Sequence, residues 1–263
     1  MSQSPLVRNY EESGAIIVGG TSGVGLATAL GFADAGVRRM VLVGRDEHRG
    51  SEARQTVLDR CPDVEIHFIA ADASDNAVVE RTVSAAHDAM GSVDICVNST
   101  TTAYRPELLH RTPAASFSDI LTGQSLPPML MTRAVLPLMQ EQGGGSIVNI
   151  ASDAAKVPTP GESVLGAAMA AIVMFTRVAA VEAKRNGVRV NAVTPSLIKG
   201  TRTADNVLSD GFSRSLFEKA ATQAHLGVAE PDDLASLIVF LGGPGSARLT
   251  GQTVSVNGGI SAF

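Results

Sequence analysis

The chain has 263 residues, 44% of them hydrophobic and 18% charged, which is enough apolar material to bury the core of one large domain. A net charge of −5 argues against nucleic acid or an anionic membrane as a partner. The two cysteines, Cys61 and Cys96, have no metal-ligand spacing, and the histidines form no cluster, so we expect reduced thiols and no metal site.

Targeting and membrane segments are not visible in the sequence. No apolar run reaches the roughly 18 residues that a bilayer span requires. Residues 1–13 lack the basic and apolar stretches of a signal peptide, so we expect a cytoplasmic protein that does not engage a membrane. Residues 1–12 are expected to form a flexible N-terminal extension.

Short apolar runs alternate with longer amphipathic stretches along the chain. The predicted strands are Ala15–Gly19, Met40–Gly44, Glu65–Ala70, Asp94–Asn98, Ser146–Ala151, Arg189–Val193 and Thr253–Val256. Most of these runs are continuous rather than alternating, which is typical of parallel strands covered on both faces. The pattern predicts one α/β domain over residues 1–263. We expect a Rossmann-type, doubly wound parallel sheet of about seven strands with helices on both faces.

The first predicted strand leads into a glycine-rich turn that opens a helix. Glycines here allow a tight turn and close approach of the backbone to a pyrophosphate. The following helix N-terminus supplies free N–H groups and a partial positive charge. The sequence therefore predicts a dinucleotide-binding turn that contains Gly19, Ser22, Gly23, Val24 and Gly25.

This Gly-x-x-x-Gly-x-Gly spacing resembles the first motif of the short-chain dehydrogenase/reductase family. Three later segments resemble that family's strand with the catalytic serine, its sixth strand with a proline turn, and its last strand with a glycine pair. They are 146–152, 188–195 and 249–259. The resemblance runs from about Ser13 to Ile260 and implies the fold of a nicotinamide-dependent oxidoreductase.

Three further positions are candidates for cofactor binding. Arg45 follows the second strand, where an acidic residue would select NAD, and it could instead pair with the 2′-phosphate of NADP(H). A solvated arginine at a strand end is equally consistent with the sequence. Asp72 matches the family aspartate near the adenine, or caps a turn. Asn98 matches the asparagine that ends the fourth strand.

The resemblance also implies where the reaction centre lies. In the family a serine polarises the substrate oxygen, a tyrosine transfers a proton, a lysine lowers the pKa of that tyrosine, and an asparagine completes a water relay. Ser152 is present, but the other three positions hold Gln124, Leu165 and Met169. Leucine and methionine cannot exchange a proton. Because the only tyrosines are Tyr10 and Tyr104, no shifted alignment restores the motif.

Other polar residues near the expected cleft are Asp153, Lys156, Glu162 and Lys199. We expect Lys156 to be an ordinary surface lysine. The nicotinamide half of the pocket is changed as well, because Thr101 stands where the family has a glycine. We therefore expect NAD(P) binding to be weak or absent.

Two helical regions, around 113–142 and 163–186, are expected to form a subunit interface. The second is apolar on nearly every face, so it needs a partner besides the sheet. The first contains Pro127 and Pro128, which predict a kink or break near residues 123–128. The partner expected from the resemblance is an active paralogue of the same family, in a tetramer.

These features favour a non-catalytic subunit of a heteromeric NAD(P)-dependent alcohol dehydrogenase, with a hydroxyacyl-CoA as one candidate substrate. One alternative is an active oxidoreductase, isomerase or lyase with relocated catalytic groups, such as Ser152 with solvent. Another alternative is a regulator that senses a dinucleotide.

Overall fold

The computed structural model describes residues 6–208 and 211–262, and these residues form a seven-stranded parallel sheet. The strands are β1 (Gly14–Val18), β2 (Arg39–Gly44), β3 (Glu65–Ala70), β4 (Ile95–Asn98), β5 (Gly145–Ile150), β6 (Val188–Pro195) and β7 (Thr253–Val256). Their order is β3-β2-β1-β4-β5-β6-β7, and every neighbouring pair is parallel. The predicted strands and the doubly wound α/β fold are confirmed, with strand ends shifted by at most two residues.

Helices cover both faces of the sheet. They are α1 (Gly23–Ala35), α2 (Glu47–Arg60), α3 (Asn76–Met90), α4 (Phe117–Glu141), α5 (Ser163–Ala183), α6 (Arg202–Leu208), α7 (Gly211–Gln223) and α8 (Pro231–Gly242). Strand β1 is fully buried, and its side chains alternate between two apolar cores. Ile16 and Val18 join the core with α3, α4 and α5, whereas Ala15 and Ile17 join the core with α1, α2 and α8.

Local side chains fix where several helices start. Asp46 accepts a hydrogen bond from the Arg49 amide at 3.0 Å, and Asp75 accepts one from the Val78 amide at 3.0 Å. Each bond satisfies an amide that has no partner inside its helix, and such caps contribute about 1 kcal/mol each.

Helix α4 runs without a break from Phe117 to Glu141, through Pro127 and Pro128. Of the kink or break predicted near residues 123–128, the break is therefore wrong, and the kink stays a prediction. Two adjacent prolines remove only two consecutive intrahelical bonds, and both rings are buried. Apolar burial of the rings offsets part of that loss.

Residues 6–12 are attached to the domain, which departs from the flexible extension expected from the sequence. The Leu6 amide donates to the Gly143 carbonyl at 3.0 Å, and Arg8 pairs with Asp94 at 2.9 Å. The Tyr10 hydroxyl donates to the Val239 carbonyl. Residues 1–5 lie outside the described residues.

Helix α5 and the turn after it are long and apolar enough to cross a membrane by length and composition alone. The segment Ser163–Asn186 has a mean hydropathy of 2.0, and half of it is buried. Arg177 and Glu182 interrupt the apolar residues of α5, so the uninterrupted apolar run within it is shorter than a membrane span. Within the fold the helix packs on α4 and β6, as a core helix does.

Candidate functional site

The glycine-rich turn connects β1 to α1 at the carboxyl edge of the sheet. Strand β1 lies between β2 and β4, at the point where the strand order reverses. Gly19 and Gly23 have φ values of 78° and 52°, which favour glycine. A Cβ on Gly25 would stand 2.1 Å from the Gly19 carbonyl oxygen. The turn is therefore closed by backbone contacts that only glycine permits.

The start of α1 is suited to an anion. Ser22 occupies the N-cap position, and its exposed side chain makes no capping bond, so the hydroxyl is available to a ligand. Val24 is buried beneath the turn and anchors it in the core. Free amides of the first helical turn next to small residues fit a phosphate group.

Arg45 and Asp72 lie at the carboxyl ends of neighbouring strands. Arg45 is exposed, as a contact to an outer phosphate would require. Asp72 accepts bonds from the Ser74 amide at 2.9 Å and the Ser74 hydroxyl at 2.6 Å. These bonds lower the pKa of Asp72, and Arg45 lowers it further. Asp72 thus closes a turn, and its charge complements Arg45.

Asn98 has a buried side chain that is hydrogen-bonded within the core. Its side chain is 2% exposed and donates to Asn149 Oδ1 at 2.8 Å. Asn149 in turn donates to Thr176 Oγ1 at 3.0 Å. The side chain therefore connects β4, β5 and α5 beneath the site rather than facing its edge.

The reaction centre implied by the sequence lies between β5 and the start of α5. Ser152 follows β5, and its hydroxyl accepts a bond from the Ala154 amide at 3.2 Å. Leu165 and Met169 lie one turn apart on α5 and are 9% and 7% exposed. They form one apolar cluster with Ala151, Ile172 and Val173. The two positions therefore belong to a packed core.

Tyr104 packs against this apolar cluster from the segment before α4. Its hydroxyl donates to the Gly161 carbonyl at 2.5 Å. Burial raises the pKa of Tyr104 to about 12, and the nearby Glu162 adds to the rise. The sequence shows that Tyr104 exists, but nothing in its spacing predicts that it meets Leu165 and Met169.

Gln124 holds the loop after β4. Its side chain is 2% exposed, donates to the Thr102 carbonyl at 3.1 Å and accepts from the Thr102 amide at 3.4 Å. The side-chain nitrogen and the side-chain oxygen of Gln124 are thus both hydrogen-bonded to the backbone of Thr102. The side chain therefore clamps the loop, and a longer residue than asparagine makes this reach possible.

Lys156 is not the surface lysine expected from the sequence. Its side chain is 13% exposed, and its ammonium donates to Ser255 Oγ at 2.5 Å. Asp153, one turn earlier, accepts bonds from Ser255, Asn257 and Ser261. This network ties the loop after β5 to the end of the chain, whereas Lys199 forms an exposed pair with Glu230 at 3.0 Å.

Glu162 lies near the implied reaction centre, and the sequence gives no sign that its pKa is raised. It immediately precedes α5 and lines a cavity with Thr159 and Ser163. Burial raises the pKa of Glu162 to about 7. A carboxyl group that titrates near neutrality can act as an acid or a base.

Metal ligation has no candidate in the part of the chain that the structure describes. Within residues 6–208 and 211–262, no group of three or more His, Cys, Asp or Glu side chains could hold an ion. Cys61 and Cys96 are free thiols.

The doubly wound sheet with a glycine turn at its switch point defines a Rossmann-type protein. The family profile described as enoyl-(acyl carrier protein) reductase matches residues 18–261. The chain belongs to the short-chain dehydrogenase/reductase family, whose members typically use NAD(P).

Relatives of known sequence and structure agree with this assignment. An uncharacterized oxidoreductase of Mycobacterium tuberculosis is 33% identical over 94% of this chain and 91% of its own. The 2-(R)-hydroxypropyl-CoM dehydrogenase of Xanthobacter autotrophicus is 30% identical over 95% of this chain and 98% of its own. The crystal structure of levodione reductase superposes with a TM-score of 0.90 at 29% identity, covering 96% of this chain and 99% of that one.

Proposed function

We propose that this chain is a non-catalytic short-chain dehydrogenase subunit of the cytoplasm. It assembles with an active paralogue that carries Tyr-x-x-x-Lys, in a tetrameric NAD(P)-dependent alcohol dehydrogenase. The observation that carries the proposal is the burial of Leu165 and Met169 in an apolar cluster, where the family places its proton-transfer pair.

Proton transfer at neutral pH needs a group whose pKa lies near the working pH. A cation beside a phenol would lower its pKa, but Met169 is uncharged. Tyr104, the tyrosine that meets this cluster, has its pKa raised to about 12 by burial and by Glu162. The surroundings of Tyr104 therefore act against the role that the family tyrosine performs.

The residues at the glycine turn fit one half of a dinucleotide. Gly19, Gly23 and the start of α1 would hold the pyrophosphate, and Arg45 would favour a 2′-phosphate. When bound in members of this family, the nicotinamide accepts or supplies hydride. In this chain the lysine contact to the ribose is absent at Met169, so we propose weak binding through the adenine half.

The outer face of α5 supports assembly. Met174, Val178 and Val181 are 56%, 49% and 60% exposed and lie at helical spacing. Small side chains at Ala167 and Ala171 continue this stripe and allow a second helix to come close. A paralogue with the same fold presents a matching α4 and α5, so it is the partner we propose.

A hydroxyacyl-CoA is the substrate class we propose for the complex. Two relatives are named for substrates carried on a thiol, the 2-(R)-hydroxypropyl-CoM dehydrogenase of Xanthobacter autotrophicus and a 3-oxoacyl-(acyl-carrier-protein) reductase of Vibrio harveyi. The lost proton-transfer motif also resembles that of the inactive subunit of hydroxyphenylmethyl-succinyl-CoA dehydrogenase.

The test is to purify the tagged full chain from its own host and identify bound proteins by mass spectrometry. We expect a short-chain dehydrogenase with intact Tyr-x-x-x-Lys, whose activity and stability rise on reconstitution. Met174→Glu with Val178→Glu should abolish the complex, whereas Leu226→Glu, at an 88% exposed position elsewhere, should not. A stable homotetramer that ignores any such protein would contradict the proposal.

The second candidate is an enzyme with relocated acid–base chemistry, and Glu162 is the observation that favours it. Its pKa of about 7 suits a general acid or base. Turnover by the purified chain that disappears in Glu162→Gln and in Ser152→Ala would favour this function over the first. Activity that persists in both variants would exclude these groups.

A further inference from the structure

The C-terminal turn, residues 257–261, follows β7 at the carboxyl edge of the sheet. Asn257 closes this turn, because its carbonyl accepts from the Ile260 amide at 3.2 Å and its side-chain oxygen accepts from the Gly259 amide at 3.0 Å. Its side-chain nitrogen donates to the Ser261 hydroxyl at 2.8 Å. Asn257 is 6% exposed, so these bonds lie away from water and hold the turn as one unit.

Asp153 binds one side of the C-terminal turn. Its carboxylate is 5% exposed, and it accepts from Asn257 Nδ2 at 2.5 Å and from Ser261 Oγ at 2.8 Å. Asp153 directly follows Ser152 in the chain. The two bonds therefore join the C-terminal turn to the Ser152 loop, which comprises residues 152–157.

The α7–α8 loop, residues 224–230, binds the other side of the C-terminal turn. The Leu226 amide donates to the Gly258 carbonyl at 3.0 Å. A Cβ on Gly258 would overlap the Gly227 carbonyl oxygen, so the two backbones are in direct contact. This approach depends on glycine at position 258.

The C-terminal turn is thus bonded to two segments that border the carboxyl edge of the sheet. Separating it from either one leaves polar groups without partners, which is costly away from water. We propose that the turn couples the Ser152 loop to the α7–α8 loop, so that loosening one of them loosens the other. This coupling goes beyond the proposed subunit role and does not depend on it, because it uses neither the glycine turn nor the outer face of α5.

The test measures hydrogen exchange of single amides by NMR in the full chain. Asp153→Asn removes the carboxylate that holds the C-terminal turn. We expect the Leu226 amide to exchange at least about 10-fold faster in this variant, because its acceptor on the turn is less firmly held. The Lys199 amide donates to Ala229, at the far end of the α7–α8 loop, at 2.8 Å. Its exchange rate should change less than about 3-fold.

Two further variants separate the coupling from a general loss of stability. Asp94→Asn removes a carboxylate of similar burial, 6% exposed, which accepts from the Gly14 amide at the opposite edge of the sheet. It should leave exchange at Leu226 within about 2-fold of the unmodified chain. Ser261→Ala removes one bond to Asp153 and keeps the carboxylate, so it should speed exchange at Leu226 about 5-fold and remains informative if Asp153→Asn does not fold.

Reciprocity gives an independent arm of the test, because coupling between two segments acts in both directions. Gly258→Ala forces a Cβ against the Gly227 carbonyl. It should speed exchange at the Lys156 amide, which donates to the Asp153 carbonyl, at least about 10-fold. Gly259→Ala is the matched control. Both glycines have positive φ values, 65° and 88°, but nothing lies within 4 Å of a Cβ on Gly259. The control adds similar backbone strain without the contact, so exchange at Lys156 should change less than about 3-fold.

Three results would overturn the proposal, with dispersed amide spectra showing that each variant is folded. The first is unchanged exchange at Leu226 in both Asp153→Asn and Ser261→Ala. The second is equal acceleration at Leu226 in Asp153→Asn and Asp94→Asn, which would indicate general destabilisation. The third is a Gly258→Ala variant whose Lys156 amide exchanges no faster than in Gly259→Ala.

Discussion

The two halves of the sheet's carboxyl edge differ in what they offer a ligand. On the β1 side, the backbone is exposed at a glycine turn, and the start of α1 has an unused Ser22 hydroxyl. On the β5 side, Leu165 and Met169 close against Ile172, and Tyr104 covers them. The first half therefore presents polar groups at an exposed turn, whereas the second is packed with apolar side chains.

The two halves are constrained by different physical requirements. A Cβ on Gly25 would meet the Gly19 oxygen at 2.1 Å, so the turn itself requires glycine whether or not a nucleotide binds. The start of α5 has no such backbone constraint, because the helical backbone at positions 165 and 169 accepts any helix-forming residue and only the packing of the apolar cluster selects among them. A retained glycine turn is therefore weaker evidence for binding than a retained catalytic pair would be.

The largest expected effect comes from breaking the polar half. Gly25→Ala should destabilise the fold by about 3 to 4 kcal/mol, because backbone atoms on both sides of the turn must move. It should also remove any nucleotide binding. Chemical denaturation measures the stability, with Gly211→Ala as the control, since nothing lies within 4 Å of a Cβ there. Equal stabilities of the two variants would show that the turn is not closely packed.

The next effect comes from returning polar groups to the apolar half. Leu165→Tyr with Met169→Lys should destabilise the protein by about 3 kcal/mol, because an ammonium group enters a buried cluster. Hydride transfer should stay absent. The volume-conserving exchange Leu165→Met with Met169→Leu should cost less than about 1.5 kcal/mol.

Restored hydride transfer in the Tyr/Lys variant would mean that only the proton-transfer pair was lost. The nicotinamide pocket would then still be open, and the β5 half would lack only the groups that transfer the proton. Assaying both double variants with NADH and NADPH separates these outcomes.

A smaller effect concerns Glu162 at the boundary of the apolar half. Its folded-state pKa of about 7 lies above the ordinary value of 4.5, so ionisation is disfavoured in the folded state. The stability of the protein should therefore fall as pH rises from about 4.5 to about 7. Glu162→Gln should match the unmodified protein near pH 4 and exceed its stability by about 2 kcal/mol near pH 8.

Denaturant unfolding at several pH values measures this difference. Glu141→Gln, which removes an exposed carboxylate at the end of α4, is the matched control and should show no pH-dependent gain. A Glu162→Gln variant whose stability follows the unmodified protein at every pH would show that the carboxyl is not desolvated.

Much of the fold can be predicted from the sequence because its signals are local. Continuous apolar runs define buried strands such as β1 and β2, and the glycine spacing places the turn before α1. The positions of Leu165 and Met169 could be predicted for the same reason, since a helical spacing of four puts both on one face.

The rest depends on contacts between distant segments. The side chain of Asn98 donates a hydrogen bond to Asn149, 51 residues away, which no local pattern encodes. Lys156 is largely shielded from solvent, and its ammonium group donates a hydrogen bond to Ser255, 99 residues later. The pKa of Glu162 is set by burial, which no local pattern encodes. Helix α4 continues through two prolines because tertiary packing overrides helix propensity.

The most direct test compares two ligands that differ only in the half of the site they use. Calorimetry should measure the Kd of NADPH and of its fragment 2′-phospho-ADP-ribose, which lacks the nicotinamide. If the β1 half binds and the β5 half is closed, the two affinities should agree within about 3-fold. NADPH binding more than about 10-fold tighter than the fragment would show an open nicotinamide pocket and would contradict closure of the β5 half.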